Sequence, residues 1–215
     1  MRNALTLLLL GIFYFIQSPL VSAADYYWVG GAGNWSDITH WRTTSGGNTQ
    51  HNVVPSGADN VFFDANSFTG ASQTITIDAP NVYCRDMDWT GATGNPRISG
   101  TALQAINISG SLNLIINMQF NHLGDVSFTG NEGGLTINMA GFRVRKNLNF
   151  KGGSLSTWTL ASTLAIDSTL TCTGGSLNTA DFGIEAGYLE LMPLVQSTWS
   201  LGASHIVITQ NGRLL

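Results

Sequence analysis

Charge is scarce in this sequence. Only 10% of its 215 residues are Asp, Glu, Lys or Arg, and the formal net charge is −4. A nucleic-acid partner needs a basic face to neutralise phosphates, and this balance argues against one. The one basic cluster, Arg143, Arg145 and Lys146, reads better as a solvated corner than as a phosphate site. Histidine is sparse too: His40, His51, His122 and His205 are scattered, without the spacing of metal ligands. A Gly-x-Ser-x-Gly nucleophile elbow is missing. Long apolar runs are missing apart from Leu5–Ile16, which is too short to span a bilayer comfortably. Arg2 precedes that run and the small residues Val21-Ser22-Ala23 follow it. This is the pattern of a cleaved signal peptide over residues 1–23. Nothing basic follows to stop transfer, and no Cys follows the cut to carry a lipid. The mature chain is therefore expected to start near Ala24, without a transmembrane span, and to be secreted or held at the outer membrane or cell surface.

What is plentiful is glycine, 25 residues of it, together with a phrase that keeps returning: apolar, polar, apolar, polar, Gly. Its copies are Met87–Gly91, Ile106–Gly110, Val126–Gly130, Leu148–Gly152 and Leu170–Gly174, with starts 19 to 22 residues apart. Degenerate copies without the glycine begin at Leu189 and Ile206. Alternation with period two marks a strand with one buried face, and a repeat of this length is one coil of a solenoid. The near-identical hexapeptides Gly152-Gly153-Ser154-Leu155-Ser156-Thr157 and Gly174-Gly175-Ser176-Leu177-Asn178-Thr179 fit a second half-coil, whose glycines let the chain turn at positive φ. Alternating pieces such as Trp158/Leu160 and Trp199/Leu201 supply further faces. The fold predicted is all-β, a right-handed parallel β-helix. A β-sandwich would show strands every 8–12 residues but no recurring phrase. The register predicts an inward column from Met87 through Ile106, Val126, Leu148 and Leu170 to Leu189. A second column runs from Trp89 through Ile108, Phe128, Phe150 and Cys172 to Leu191. Cys84 lies beside the first phrase and Cys172 in the fifth, about 19 Å away at strand spacing, whereas a disulfide needs Cα atoms within about 7 Å. Two free thiols follow.

Residues 24–80 differ from the rest and are predicted to form an N-terminal cap and leading strand, with residues 81–215 forming the coils. The cap holds Trp28-Val29-Gly30-Gly31-Ala32-Gly33-Asn34-Trp35-Ser36-Asp37, then Trp41, then Pro55 to Asp64 with Val61-Phe62-Phe63, then Thr74-Ile75-Thr76-Ile77-Asp78. This series resembles the start of bacterial autotransporter-passenger-like β-helices. It is more closely similar to large adhesin-like surface proteins of Bacteroidota that use a C-terminal sorting signal. The resemblance implies a secreted or cell-surface β-helix and assigns no substrate. Read from the residues alone, Trp28, Trp35 and Trp41 either cover the open end of the solenoid or offer ring faces to a sugar. Covering is the favoured reading, because clustered Trp near Phe62 and Phe63 are more often packed than displayed.

Catalysis has one candidate pair. Asp86 and Asp88 would stand roughly 7 Å apart on one side of a strand, within the range used by inverting glycosidases, or could hold Ca²⁺ with Asp125. Asp37, Asp59 and Asp64 are further candidates for Ca²⁺, against the favoured reading that they cap loop N–H groups as Asx turns. Asn34-Trp35-Ser36 and Asn107-Ile108-Ser109 match glycosylation acceptors, which matter only in a eukaryotic secretory route. No cofactor is implied. The function expected is an adhesin-like stalk meeting extracellular glycans or a host or neighbouring cell, and the alternative is a polysaccharide lyase or glycoside hydrolase. Ile206-Val207-Ile208-Thr209 starts a fresh coil just before Leu215, so the chain is expected to be the N-terminal part of a longer protein.

Overall fold

Short apolar–polar alternation leaves each segment with one greasy edge and too little length to bury it alone, so every strand needs a neighbour from another coil. A computed structural model describing residues 23–210 shows how this is met; the leader assigned to residues 1–23 lies outside the described residues except for Ala23. Three sheets make up the described coils: long ones of nine and eight strands, and a four-stranded one confined to the N-terminal coils. Each strand hydrogen-bonds to the equivalent strand one coil away, almost always in parallel, and together the sheets form a parallel β-helix. Among the described residues the only helical element is the 3-10 turn Ile38–His40, and no helix is long and apolar enough to cross a membrane.

The phrase sheet has seven strands in line: Asn81–Cys84, Ala105–Ile108, Asp125–Phe128, Leu148–Lys151, Leu164–Gly174, Ile184–Leu191 and Ile206–Ile208. From the second copy to the sixth the predicted register is present: Ile106, Val126, Leu148, Leu170 and Leu189 are paired in line, as are Ile108, Phe128, Phe150, Cys172 and Leu191. All are buried except Leu191, expected inward but 38% exposed. Phe128 and Phe150 stack with centroids 5.5 Å apart. The first and last copies are corrected. Val82 and Cys84, not Met87 and Trp89, pair with Ile106 and Ile108. Met87 belongs to the nine-stranded long sheet, in the column Val61, Met87, Leu112, Ile137 and Leu160. Inward positions 82, 84, 87 and 89 all alternate through the corner between two sheets, so residue type alone does not say which pair belongs to which sheet. At the other end Ile206 pairs with Ile184, not Leu189, because the strands at Leu164 and Ile184 begin earlier than the phrase and offer an additional pairing segment.

Cys84 thus sits in the same column as Cys172, still four coils away, and both thiols are free and buried. Burial, with a smaller contribution from the Asp86 charge, pushes the Cys84 thiol well above its ordinary range.

The phrase-closing glycines have their own reason. A Cβ on Gly130 would overlap the Ser109 carbonyl oxygen, one on Gly174 would overlap that of Gly152, and one on Gly110 would stand 2.9 Å from the Arg85 carbonyl oxygen. Corners stack too closely for a side chain. Positive φ is needed elsewhere, as at Gly134 and Gly175 (φ 78° and 86°).

Residues 24–80 supply both an end cover and the first strands. Asp25–Trp28 lies parallel to Asn60–Phe62 and carries Trp41–Arg42 antiparallel on its free side. Gly33–Asn34 and Thr74–Thr76 begin the four-stranded short sheet, which continues with Arg97–Gly100 and Gln119–His122. Trp28, Trp35 and Trp41 are at most 1% exposed, with Trp28 and Trp35 each meeting Trp41 edge-on at 5.0 Å. Their indole N–H groups donate to Gly31 O and, from Trp41, to Trp35 O.

Candidate functional site

With the apolar half of each strand turned inward, chemistry is left to the outward half. On the long sheet that half is small and uncharged for most of its length. Thr136, Thr159, Asn178 and Ser200 stand in register on four successive coils, beside a row formed by Thr157, Ser176 and Thr198. Thr157 pairs with Ser176, and the Thr198 amide donates to Ser176 Oγ at 3.1 Å. Between these rows lies a shallow groove of about 260 Å³, walled by Thr157, Thr159, Ser176, Asn178, Thr198 and Ser200. The phrase sheet continues the theme: Asn149 Nδ2 donates to Ser127 Oγ at 3.3 Å, and Asn107 Nδ2 to Val82 O at 3.2 Å.

The suspected acids lie at the other end of the molecule and do not form a matched pair. Asp88 is on the long sheet, in Met87–Asp88, whereas Asp86 lies in the preceding corner, outside that strand. Asp88 Oδ1 accepts from the Thr90 amide at 2.9 Å, the Thr90 hydroxyl at 2.7 Å and Asn113 Nδ2 at 3.0 Å. Asn113 Oδ1 accepts in turn from Asn138 Nδ2 at 3.0 Å, so Asp88 anchors an amide ladder. Asp86 takes Arg85 at 2.7 Å on Oδ2 and the Ser111 amide at 2.7 Å on Oδ1. Arg85 also reaches Glu132 at 2.8 Å. Asp125 meets Lys146 at 3.4 Å, on a different corner.

The loop carboxylates are similarly engaged. Asp37 accepts from the Thr39 amide and hydroxyl at 2.9 and 2.7 Å, and the hydroxyl bond, followed by the amide bond, lowers its pKa. Asp59 holds the Ala24 and Ser56 amides at 3.0 and 2.9 Å, and Asp64 holds the Asn66 amide at 2.8 Å. Among the described residues no group of three or more His, Cys, Asp and Glu is placed to share a metal ion. Arg143, Arg145 and Lys146 form coil-to-coil ion pairs. Arg143 reaches Asp167 at 3.1 Å and also Glu185, and Arg145 reaches Asp167 at 3.2 Å.

The groove lies on the long sheet, outside the recurring phrase that dominates the sequence pattern. Its signal is nonetheless present, as three alternating triplets: Thr157-Trp158-Thr159, Ser176-Leu177-Asn178 and Thr198-Trp199-Ser200. The repeated hexapeptides obscured it. Thr157 aligns with Ser176 and Trp158 with Leu177, so the stack is offset by three residues from the sequence match. Leu155 is accordingly exposed while Leu177 is buried. No family model, curated protein or solved structure matches the chain.

Proposed function

We propose that this chain is an adhesin-like stalk, exported to the cell surface or beyond, whose outer faces meet extracellular glycans or the surface of a host or neighbouring cell. The observation that carries this reading is the outward composition of the coils. Ser, Thr and Asn stand in rows from coil to coil, and the two acids first suspected of catalysis are each committed to structural hydrogen bonds. An inverting glycosidase needs a free acid and a free base facing one bond. Rows of hydroxyl and amide groups instead hydrogen-bond a glycan shallowly, and gain strength when many copies act together.

The opposing reading is a lyase or hydrolase using Asp86 and Asp88. Incubation with a panel of neutral and acidic polysaccharides separates the two. The stalk reading predicts no release of reducing ends or unsaturated sugars, with retention of the protein on at least one immobilised glycan. Release abolished by Asp88→Asn would replace the stalk with the enzyme.

A further inference from the structure

We infer that the groove between the two hydroxyl rows of the long sheet is a binding site for a neutral, extended polysaccharide lying along the solenoid axis. The inference rests on the stalk reading above and gives it a location. Three features of the groove carry it.

The first is hydrogen-bonding capacity. Thr157 Oγ1 accepts from the Gly134 amide at 2.9 Å and keeps its own proton to donate. Asn178 Oδ1 accepts from the Ala180 amide at 3.0 Å, which leaves the Nδ2 donors outward. Among the described residues the hydroxyls of Thr159, Thr198 and Ser200 make no side-chain hydrogen bond. A wall carrying both donors and acceptors suits sugar hydroxyls, which are both at once.

The second is charge. No ionisable side chain lines the groove. A uronic acid or sulfated polymer would find no cation there, and an anionic chain set against a net-negative protein would be repelled. A neutral sugar is not penalised in this way. The wall also lacks an exposed aromatic or Arg anchor of the kind that dominates protein–protein contacts, so a folded protein partner is disfavoured.

The third is periodicity. Strand stacking repeats the same two outward positions about every 4.8 Å along the axis and about 7 Å across each strand. A linear polymer with one sugar per coil can therefore meet equivalent groups at each step, whereas a compact ligand would use only one rung.

The test is a titration of isotope-labelled protein with cellohexaose and chitohexaose, followed by amide chemical shifts, with polygalacturonate as the anionic control. The neutral hexasaccharides are expected to move the amides of Thr157–Thr159, Ser176–Asn178 and Thr198–Ser200, in fast exchange at about millimolar strength. The double variant Thr159→Val/Asn178→Val should bind about tenfold more weakly, the loss of a pair of modest hydrogen bonds. Asn149→Ala, on the phrase sheet, should bind as the parent does. Thr159 is half-buried and Asn178 exposed; because Asn178→Val also removes the bond to the Ala180 amide, unchanged shifts of amides away from residues 157–161 and 176–182 verify its fold. Neutral-sugar binding with a footprint elsewhere, or unaffected by the double variant, would overturn the groove and leave the stalk reading standing. Equal binding of polygalacturonate would overturn the claim of neutrality. No footprint from either hexasaccharide, together with no retention of the protein on any glycan of the panel, would overturn both the groove and the glycan-binding stalk.

Discussion

His122 is a buried histidine whose protonation the fold opposes. It ends the strand Gln119–His122, is fully buried, and has one ring nitrogen 3.4 Å from the Asp125 carbonyl oxygen. Its other nitrogen has no partner among the described residues. Burial lowers its pKa below the ordinary 6.5, against smaller opposing pulls from the Asp125 carbonyl and carboxylate and the Gln104 carbonyl, while Lys146 adds slightly to the lowering. The unfolded chain therefore takes up the His122 proton near pH 6.5, and the folded chain only at lower pH. Across that window the unfolded state binds more protons, so stability is full above about pH 6.5 and declines as the pH falls. Thermal melting at about pH 5 should occur below that at about pH 8, and His122→Gln should remove most of the difference. An equal pH dependence in both proteins would refute the assignment. Nothing in the sequence flagged His122, since its burial depends on a corner where Gly100 leaves room for the ring.

At the scale of the element, the corner glycines decide how closely coils approach. Gly130→Ala places a methyl group against the Ser109 carbonyl oxygen of the preceding coil, where backbone must shift. The expected cost is about 2 kcal/mol or more, read from urea unfolding. Gly57→Ala is the control: nothing lies within 4 Å of its Cβ position, so the change should be within about 1 kcal/mol of neutral and can stabilise through the unfolded chain. Equal costs for the two would mean that the corners do not stack as described. Here the legible and illegible parts of the sequence separate. The period and the inward pairs could be read because alternation and step length are set by the strand and the coil. The assignment of Gly91 to the glycine column could not. Gly91 closes a phrase by residue type, yet it serves a turn at φ 86° with no close neighbour, whereas Gly110, Gly130 and Gly174 serve contact. One letter served two physical needs. The same ambiguity hid the groove: a three-residue offset between matching hexapeptides exchanges the exposed Leu155 for the buried Leu177.

For the molecule as a whole, each coil touches mainly its neighbours, as in any solenoid, so register carries both fold and outer surface. A strand slipped by one residue would turn every Thr and Asn of the outer rows inward. The Trp cluster illustrates what pattern could and could not reveal. The crowding of Trp28, Trp35 and Trp41 pointed to packing. Their arrangement around Trp41, on the antiparallel strand Trp41–Arg42, depends on a long-range pairing that no local pattern encodes. The ion pairs that join corners, such as Arg145 with Asp167, are exposed enough to contribute little. Register is therefore held by the apolar columns, and it can be read by oxidative cross-linking of outward positions. Tyr83 faces Asn107 across neighbouring strands, so the variant Tyr83→Cys/Asn107→Cys should form a disulfide readily, its Cα atoms lying within the limit of about 7 Å. Asp88→Cys/Asn107→Cys, the pair that equal spacing of the phrases would bring together, should stay reduced. Cross-linking of the second pair with none of the first would contradict the stacking on which the outer rows depend.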